Sequence, residues 1–88
     1  MIPTKRAPTS PGEILKEEFL GPLGMTQLQL AEKMGVPIQR VNGIINGKRS
    51  ITAETAILLS RALKTTPEFW MNLQAALDLF NANQKMSA

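Results

Sequence analysis

Residues 26–49 read TQLQLAEKMGVPIQRVNGIINGKR, two short helical segments joined by a glycine turn and followed by a basic turn. The first segment opens with a capping box: Thr26 can accept from the backbone N–H of Gln29, whose side chain can reach back to the N–H of Thr26. Its inward face is supplied at helical spacing by Leu28, Ala31 and Met34, or by Leu30, Ala31 and Met34. Gly35 ends it, because a residue without Cβ accepts the left-handed conformation that lets the chain reverse. Pro37 restarts helix, its missing N–H costing nothing in a first turn. This is the layout of a helix-turn-helix, whose second helix enters the DNA major groove.

The second segment, about Ile38 to Asn46, divides its residues between two tasks. Val41, Ile44 and Ile45 are spaced to pack on the first helix, which leaves Gln39, Arg40, Asn42 and Gly43 toward the outside. Arg can bond a guanine edge bidentately and Gln or Asn an adenine edge, while Gly43 offers either close approach or a gap. Asn46-Gly47 is a turn dipeptide, and Lys48 and Arg49 after it are placed to meet phosphates. Taken singly, each of these is ordinarily a solvated surface residue; the pattern gives them a role together.

Charge is distributed in the same sense. Ten Lys plus Arg against seven Asp plus Glu leave only +3, which by itself says little about partners. From Lys33 through Ala53, however, stand four basic residues (Lys33, Arg40, Lys48, Arg49) and no acid, so the other 67 residues carry net −1. The positive excess sits on the motif, as the electrostatic footprint of a DNA-binding face requires.

A chain of 88 residues, 43% hydrophobic, allows one small core, and dimerisation would help so short a chain. Without cysteine there are no disulfides or thiolate metal sites, which fits a reducing compartment. No apolar run approaches the roughly 20 residues of a membrane span, and no hydrophobic signal segment opens the chain. The expectation is a cytoplasmic protein that is neither membrane-bound nor cofactor-dependent.

The remainder reads as helix. Residues 1–9 contain two prolines and no periodicity and are expected to form a flexible arm, in which Lys5 and Arg6 could touch DNA. Ser10-Pro11-Gly12-Glu13 is a second capping box with proline at the first helical position. It opens a helix to about Leu20, with Ile14, Leu15 and Phe19 inward and Gly21-Pro22-Leu23-Gly24 breaking it. Thr52 caps a fourth helix to about Leu63, with Ala56, Leu59, Ala62 and Leu63 inward and Ile51 stapling its start. Thr66-Pro67-Glu68 opens a fifth, to about Asn81, with residues 82–88 as a frayed tail beyond the 10–81 domain.

That last helix carries two apolar stripes. Phe69, Trp70, Leu73, Ala76, Leu77 and Phe80 form the broader one; Met71, Ala75 and Leu79 form the second, separated from it by Gln74 and Asp78. One stripe can pack on the protein's own helices, and the other needs a partner or stays exposed. A homodimer through Met71, Ala75 and Leu79 fits best, since helix-turn-helix proteins bind two half-sites about 34 Å apart through two-fold symmetry.

An enzyme is not expected. The chain has no His, Cys or Tyr, no phosphate-cradling glycine loop and no carboxylate pair that local spacing brings together. RNA binding ranks below DNA binding, because Phe19, Phe69, Trp70 and Phe80 lie on apolar helix stripes and are not interleaved with basic residues for base stacking.

With Gln27, Ala31, Gly35, Val41 and Ile44 at these spacings, the motif resembles the Cro/repressor-type (XRE) class. Residues 11–79 are similar more specifically to the HigA antitoxins of the host-inhibition-of-growth toxin–antitoxin modules. The distinctive pieces are Pro11-Gly12-Glu13, Val36-Pro37, Asn46-Gly47-Lys48-Arg49, Ile51-Thr52-Ala53, Pro67-Glu68-Phe69-Trp70 and Asn72-Leu73-Gln74. The resemblance implies an all-α, five-helix, lambda-repressor-like DNA-binding domain. It implies also a bacterial dimeric antitoxin that neutralises a HigB-type mRNA endonuclease and represses its own operon at a palindromic operator. Carried over, Gln27 matches a backbone-contacting glutamine, Gln39, Arg40, Asn42 and Gly43 occupy recognition positions, and Asn46, Lys48 and Arg49 form the phosphate-contacting turn. Ser10 stands where family members often have His, a change that preserves the cap. An orphan regulator without a toxin partner is the alternative, and a toxin-like reading frame beside this one would decide between them. For a basic ribonuclease toxin, Glu13, Glu17 and Glu18 of the first helix are the candidate surface by charge complementarity.

Overall fold

The structure is a computed structural model that describes residues 7–87; Lys5 and Arg6, the candidate arm contacts, lie outside the described residues. These residues form five helices and no strand. Four of the helices start where a hydroxyl was expected to cap them. Ser10, Thr26, Thr52 and Thr66 are extended, and each side-chain oxygen accepts from the N–H three residues on at 3.0–3.2 Å. The box at Thr26 is reciprocal, its N–H donating to Gln29 Oε1 at 2.9 Å. At Ser10 only the hydroxyl half forms, and the exposed Glu13 carboxylate stays in solvent.

Helix α1 departs from expectation at its C-terminal end. It runs without a break through Pro11–Ile14, a π-helical stretch Leu15–Leu20, and Gly21–Leu23, ending only at Gly24 in the left-handed conformation. Pro22 does not break it because the π stretch, closed by Gly21 N–H to Lys16 C=O, widens the turn. The proline ring thereby escapes the clash with the carbonyl four residues back, and its missing N–H leaves a short gap in the ladder.

Helices α2 (Gln27–Met34) and α3 (Ile38–Ile45) are the helix-turn-helix pair. Of the two inward faces the spacing allowed for α2, the structure uses Leu30, Ala31 and Met34, while Leu28 is 53% exposed. Gly35 takes φ +72° and carries the reversal. Pro37 stands one position earlier than expected, as an extended N-cap with φ −63° and ψ 148° and not as the first helical residue. Val41 and Ile44 are buried beneath α3.

Helix α4 (Ala53–Leu63) and helix α5 (Pro67–Met86) complete the core. Leu15, Leu30, Val41, Leu59 and Trp70, one from each helix, are the largest side chains fully withdrawn from solvent. Burying each apolar side chain of that size contributes about 1.5–3 kcal/mol. Trp70 stacks edge-on with Phe69 and tilts against Phe19 at centroid distances of 4.9 and 5.3 Å. Its Nε1–H donates to Thr65 Oγ1 at 2.7 Å, so the indole is buried with its one polar atom satisfied.

Helix α5 differs from its sequence reading in two respects. It continues past Asn81 to Met86, since residues 82–86 contain no proline or glycine to stop it. Its inward face is centred on Trp70, Gln74 and Leu77, so Gln74, expected to divide two apolar stripes, is buried, whereas Ala76 is exposed. The reason is a buried donor: Ile51 N–H, ahead of the α4 cap, reaches Gln74 Oε1 at 2.8 Å. Left unpaired, such a group costs about 1–3 kcal/mol.

Candidate nucleic-acid interface

The site starts from how the chain leaves the recognition helix α3. Asn46 closes the helix, and Gly47 adopts φ +77°, which turns the chain sharply back. Gly47 N–H then donates to Ile44 C=O, while Lys48 N–H and Arg49 N–H both donate to Gly43 C=O at 2.8 and 3.1 Å. The basic turn is therefore bonded to the end of the helix whose outer face precedes it. Lys48 and Arg49 are exposed, as is Asn46.

Gly43 has a specific partner in this arrangement. A Cβ placed on it would stand 2.9 Å from both Cγ and Cδ of Arg49, so the Arg49 stem lies across the bare backbone of α3. Of the close approach or gap that Gly43 left open, the space is taken up by Arg49, whose guanidinium is presented from the flank of the recognition helix. Gln39 is exposed and Asn42 half-buried on the same helix, and Gln27 is half-buried at the first position of α2.

Arg40 is not free. Its Nη1 lies 3.8 Å from Glu54 Oε1 across a cleft of about 290 Å³ lined also by Ile44, Arg49, Ser50, Thr52 and Thr55. The carboxylate is 78% exposed, and a pair so solvated contributes at most about 1 kcal/mol. Releasing Arg40 from the pair is accordingly cheap, while Glu54 keeps one negative group at the rim of an otherwise positive face. Sequence reasoning missed Glu54, although it is the first acid after the basic stretch; its contact crosses the loop between α3 and α4. It missed also Gly12, where an added Cβ would collide with Ile44 C=O and come within 2.9 Å of Ile45 Cα and C=O. The N-terminus of α1 is seated directly on the C-terminal backbone of the recognition helix.

On α1, Glu13, Glu17 and Glu18 are all exposed. On α5, the face away from the core carries Met71, Ala75 and Leu79 and continues through Ala82 to Met86, with Leu79 66% and Met86 84% exposed. Among the described residues no group of His, Cys, Asp and Glu is placed to hold a metal. No described helix is long and apolar enough to cross a membrane.

Two helices packed through a left-handed glycine, with a basic turn bonded to the second, define a helix-turn-helix DNA-binding domain, and the helix-turn-helix family model matches residues 15–70. Antitoxin HigA-1 of Vibrio cholerae is 51% identical over 85 residues, covering 97% of this chain and 80% of that protein. A HigA-family addiction module antidote protein from Coxiella burnetii superposes with a TM-score of 0.86 at 48% identity, covering 93% of this chain and 89% of that one. The Pseudomonas aeruginosa antitoxin HigA, solved with the higBA promoter, superposes with a TM-score of 0.82 at 40% identity, covering 90% and 89%. The chain belongs to the HigA antitoxins, a family of DNA-binding regulators and not of enzymes.

Proposed function

We propose that the protein is an autoregulating antitoxin that binds a palindromic operator as a homodimer and neutralises a HigB-type mRNA endonuclease. The observation that carries the DNA half is the bonding of Lys48 and Arg49 to Gly43 C=O, which joins a phosphate-seeking turn to a base-reading helix. Lys48, Arg49 and Asn46 anchor phosphates on one side, and Gln27 with the first amides of α2 does so on the other. Gln39, Arg40 and Asn42 select bases, with Arg40 exchanging Glu54 for a guanine edge, and Gly43 seats Arg49. The promoter-bound P. aeruginosa relative supports the reading.

Two substitutions separate the assigned roles. Arg40→Ala should lose about 1–3 kcal/mol of discrimination at a single base position. Lys48→Ala should weaken all DNA alike and make the slope of log affinity against log salt shallower by about 0.9. Fluorescence anisotropy on operator and scrambled duplexes reads both; equal losses of Arg40→Ala on the two duplexes would remove its role in base selection.

The toxin half rests on charge. A ribonuclease presents basic surface to RNA, and the exposed acids Glu13, Glu17 and Glu18 offer a complementary face on the side of α1 that solvent reaches. Reversing Glu17 and Glu18 to lysine should weaken toxin capture by co-purification and leave the operator gel shift in place. Undiminished capture would move the toxin surface elsewhere. The dimer contact is assigned to Met71, Ala75 and Leu79, lengthened by Ala82 and Met86 on the same exposed stripe.

A further inference from the structure

The turn carrying Lys48 and Arg49 is held from two sides. Gly43 C=O holds it to the recognition helix, and Ile51 N–H, two residues after Arg49, donates to Gln74 Oε1 of α5 at 2.8 Å. Every other side-chain hydrogen bond among the described residues spans five positions or fewer. The one side-chain hydrogen bond between distant elements among the described residues therefore ends at the segment that follows the phosphate-contacting turn. Gln74 is only 7% exposed, and its Nε2 donates to Asp78 Oδ1 at 2.9 Å. Both ends of the amide are fixed, its oxygen toward Ile51 and its nitrogen toward Asp78. Gln74 borders a crevice of about 150 Å³ in which Gly12 of α1, Ile44 of α3, Arg49 of the turn and Leu77 and Asp78 of α5 meet.

We infer that Gln74, oriented by Asp78, is a positioning residue for operator binding: it fixes the backbone at Ile51 and so places Lys48 and Arg49 in register with the recognition helix. It touches no DNA itself. Charge-assisted bonds to phosphate are short, near about 2.7–2.9 Å, and a turn loose at one end must be ordered at the moment of binding. With the Gln74 tie in place that ordering is already present in the free protein. The inference rests on the DNA-binding role proposed for Lys48.

The test measures operator affinity of the full chain by anisotropy across a salt series, for Gln74→Leu, Lys48→Ala and their double variant, and for Asp78→Ala and Asp78→Asn. Gln74→Leu keeps side-chain bulk and removes the acceptor; it should lose about tenfold or more and flatten the salt slope by about one phosphate equivalent. The Lys48→Ala loss should shrink from roughly tenfold in the native background to about threefold in Gln74→Leu, because the contact is already compromised there. Asp78 is exposed, so its variants fold irrespective of the fate of Gln74→Leu. Removing its negative charge would by itself raise affinity for DNA; Asp78→Ala is expected to lower it severalfold, and Asp78→Asn, which keeps an acceptor oxygen, to restore it. Full additivity of Gln74→Leu with Lys48→Ala, or tighter binding by Asp78→Ala, overturns the inference. A failure of the DNA-binding reading looks different: Lys48→Ala in the native background then leaves affinity unchanged.

Discussion

Alanine in place of Gly12 should destabilise the domain by about 3 kcal/mol and shift the end of the recognition helix. A Cβ there would meet Ile44 C=O, Ile45 Cα and Ile45 C=O, all backbone atoms, which no rotamer change can move aside. The intrinsic helix preference of alanine over glycine, up to about 1 kcal/mol, acts in the opposite sense and is outweighed. The close approach sets the positive end of α1 against the negative end of α3, so the two helices attract where they nearly touch. Gly43 supplies the control, because the atoms nearest to a Cβ added there belong to the flexible Arg49 side chain and not to backbone, and Gly43→Ala should change stability little. Against a total of roughly 4–13 kcal/mol for a chain of this length, urea denaturation resolves the difference. A midpoint for Gly12→Ala equal to that of Gly43→Ala would mean that α1 and α3 are not in backbone contact.

Glutamate in place of Leu79 should leave the protomer folded and reduce operator affinity by about 10²–10⁴-fold. Leu79 is 66% exposed, so the core loses nothing, and a surface change of this kind moves stability by about 0.5 kcal/mol at most. In a two-fold dimer the stripe meets its own copy, so one substitution sets two carboxylates into one apolar contact. Loss of the dimer removes the advantage by which binding one half-site presents the second reading helix to the other, and that advantage sets the size of the effect. Sedimentation velocity and a gel shift, taken together, read it. A dimer that persists with full operator affinity would place the interface elsewhere, the half-exposed Phe69 and Phe80 being the next candidates on α5.

How much of this was legible in the sequence depended on the range of the interactions concerned. The caps at Ser10, Thr26, Thr52 and Thr66 are set by residues three apart, and all four formed. The reversal at Gly35 needs only its own backbone, and it too was readable. Periodicity left Leu28 and Leu30 as alternatives, since both fit an apolar face and only packing against other helices selects Leu30. Pro22 misled because proline normally ends an α-helix, and nothing local announces the π stretch before it. Gln74 reads in the sequence as a divider between stripes, because the unpaired donor that draws this polar side chain inward stands 23 positions away. The pairing of Arg40 with Glu54 and the seating of Gly12 on α3 are long-range in the same way. For the candidate site, the pattern of Gln39, Arg40, Asn42, Lys48 and Arg49 was visible at once, while the bonds that bind turn to helix were not.

Hydroxyl-radical footprinting on the promoter of the protein's own gene decides whether α3 and the turn after it read DNA as a two-fold pair. Two protected patches related by a palindrome are expected, their centres about one helical turn or 34 Å apart on one face of the duplex, with Arg40→Ala weakening protection there and not on unrelated DNA. Protection that is absent, or that appears on promoter and unrelated DNA at the same protein concentration, would contradict it.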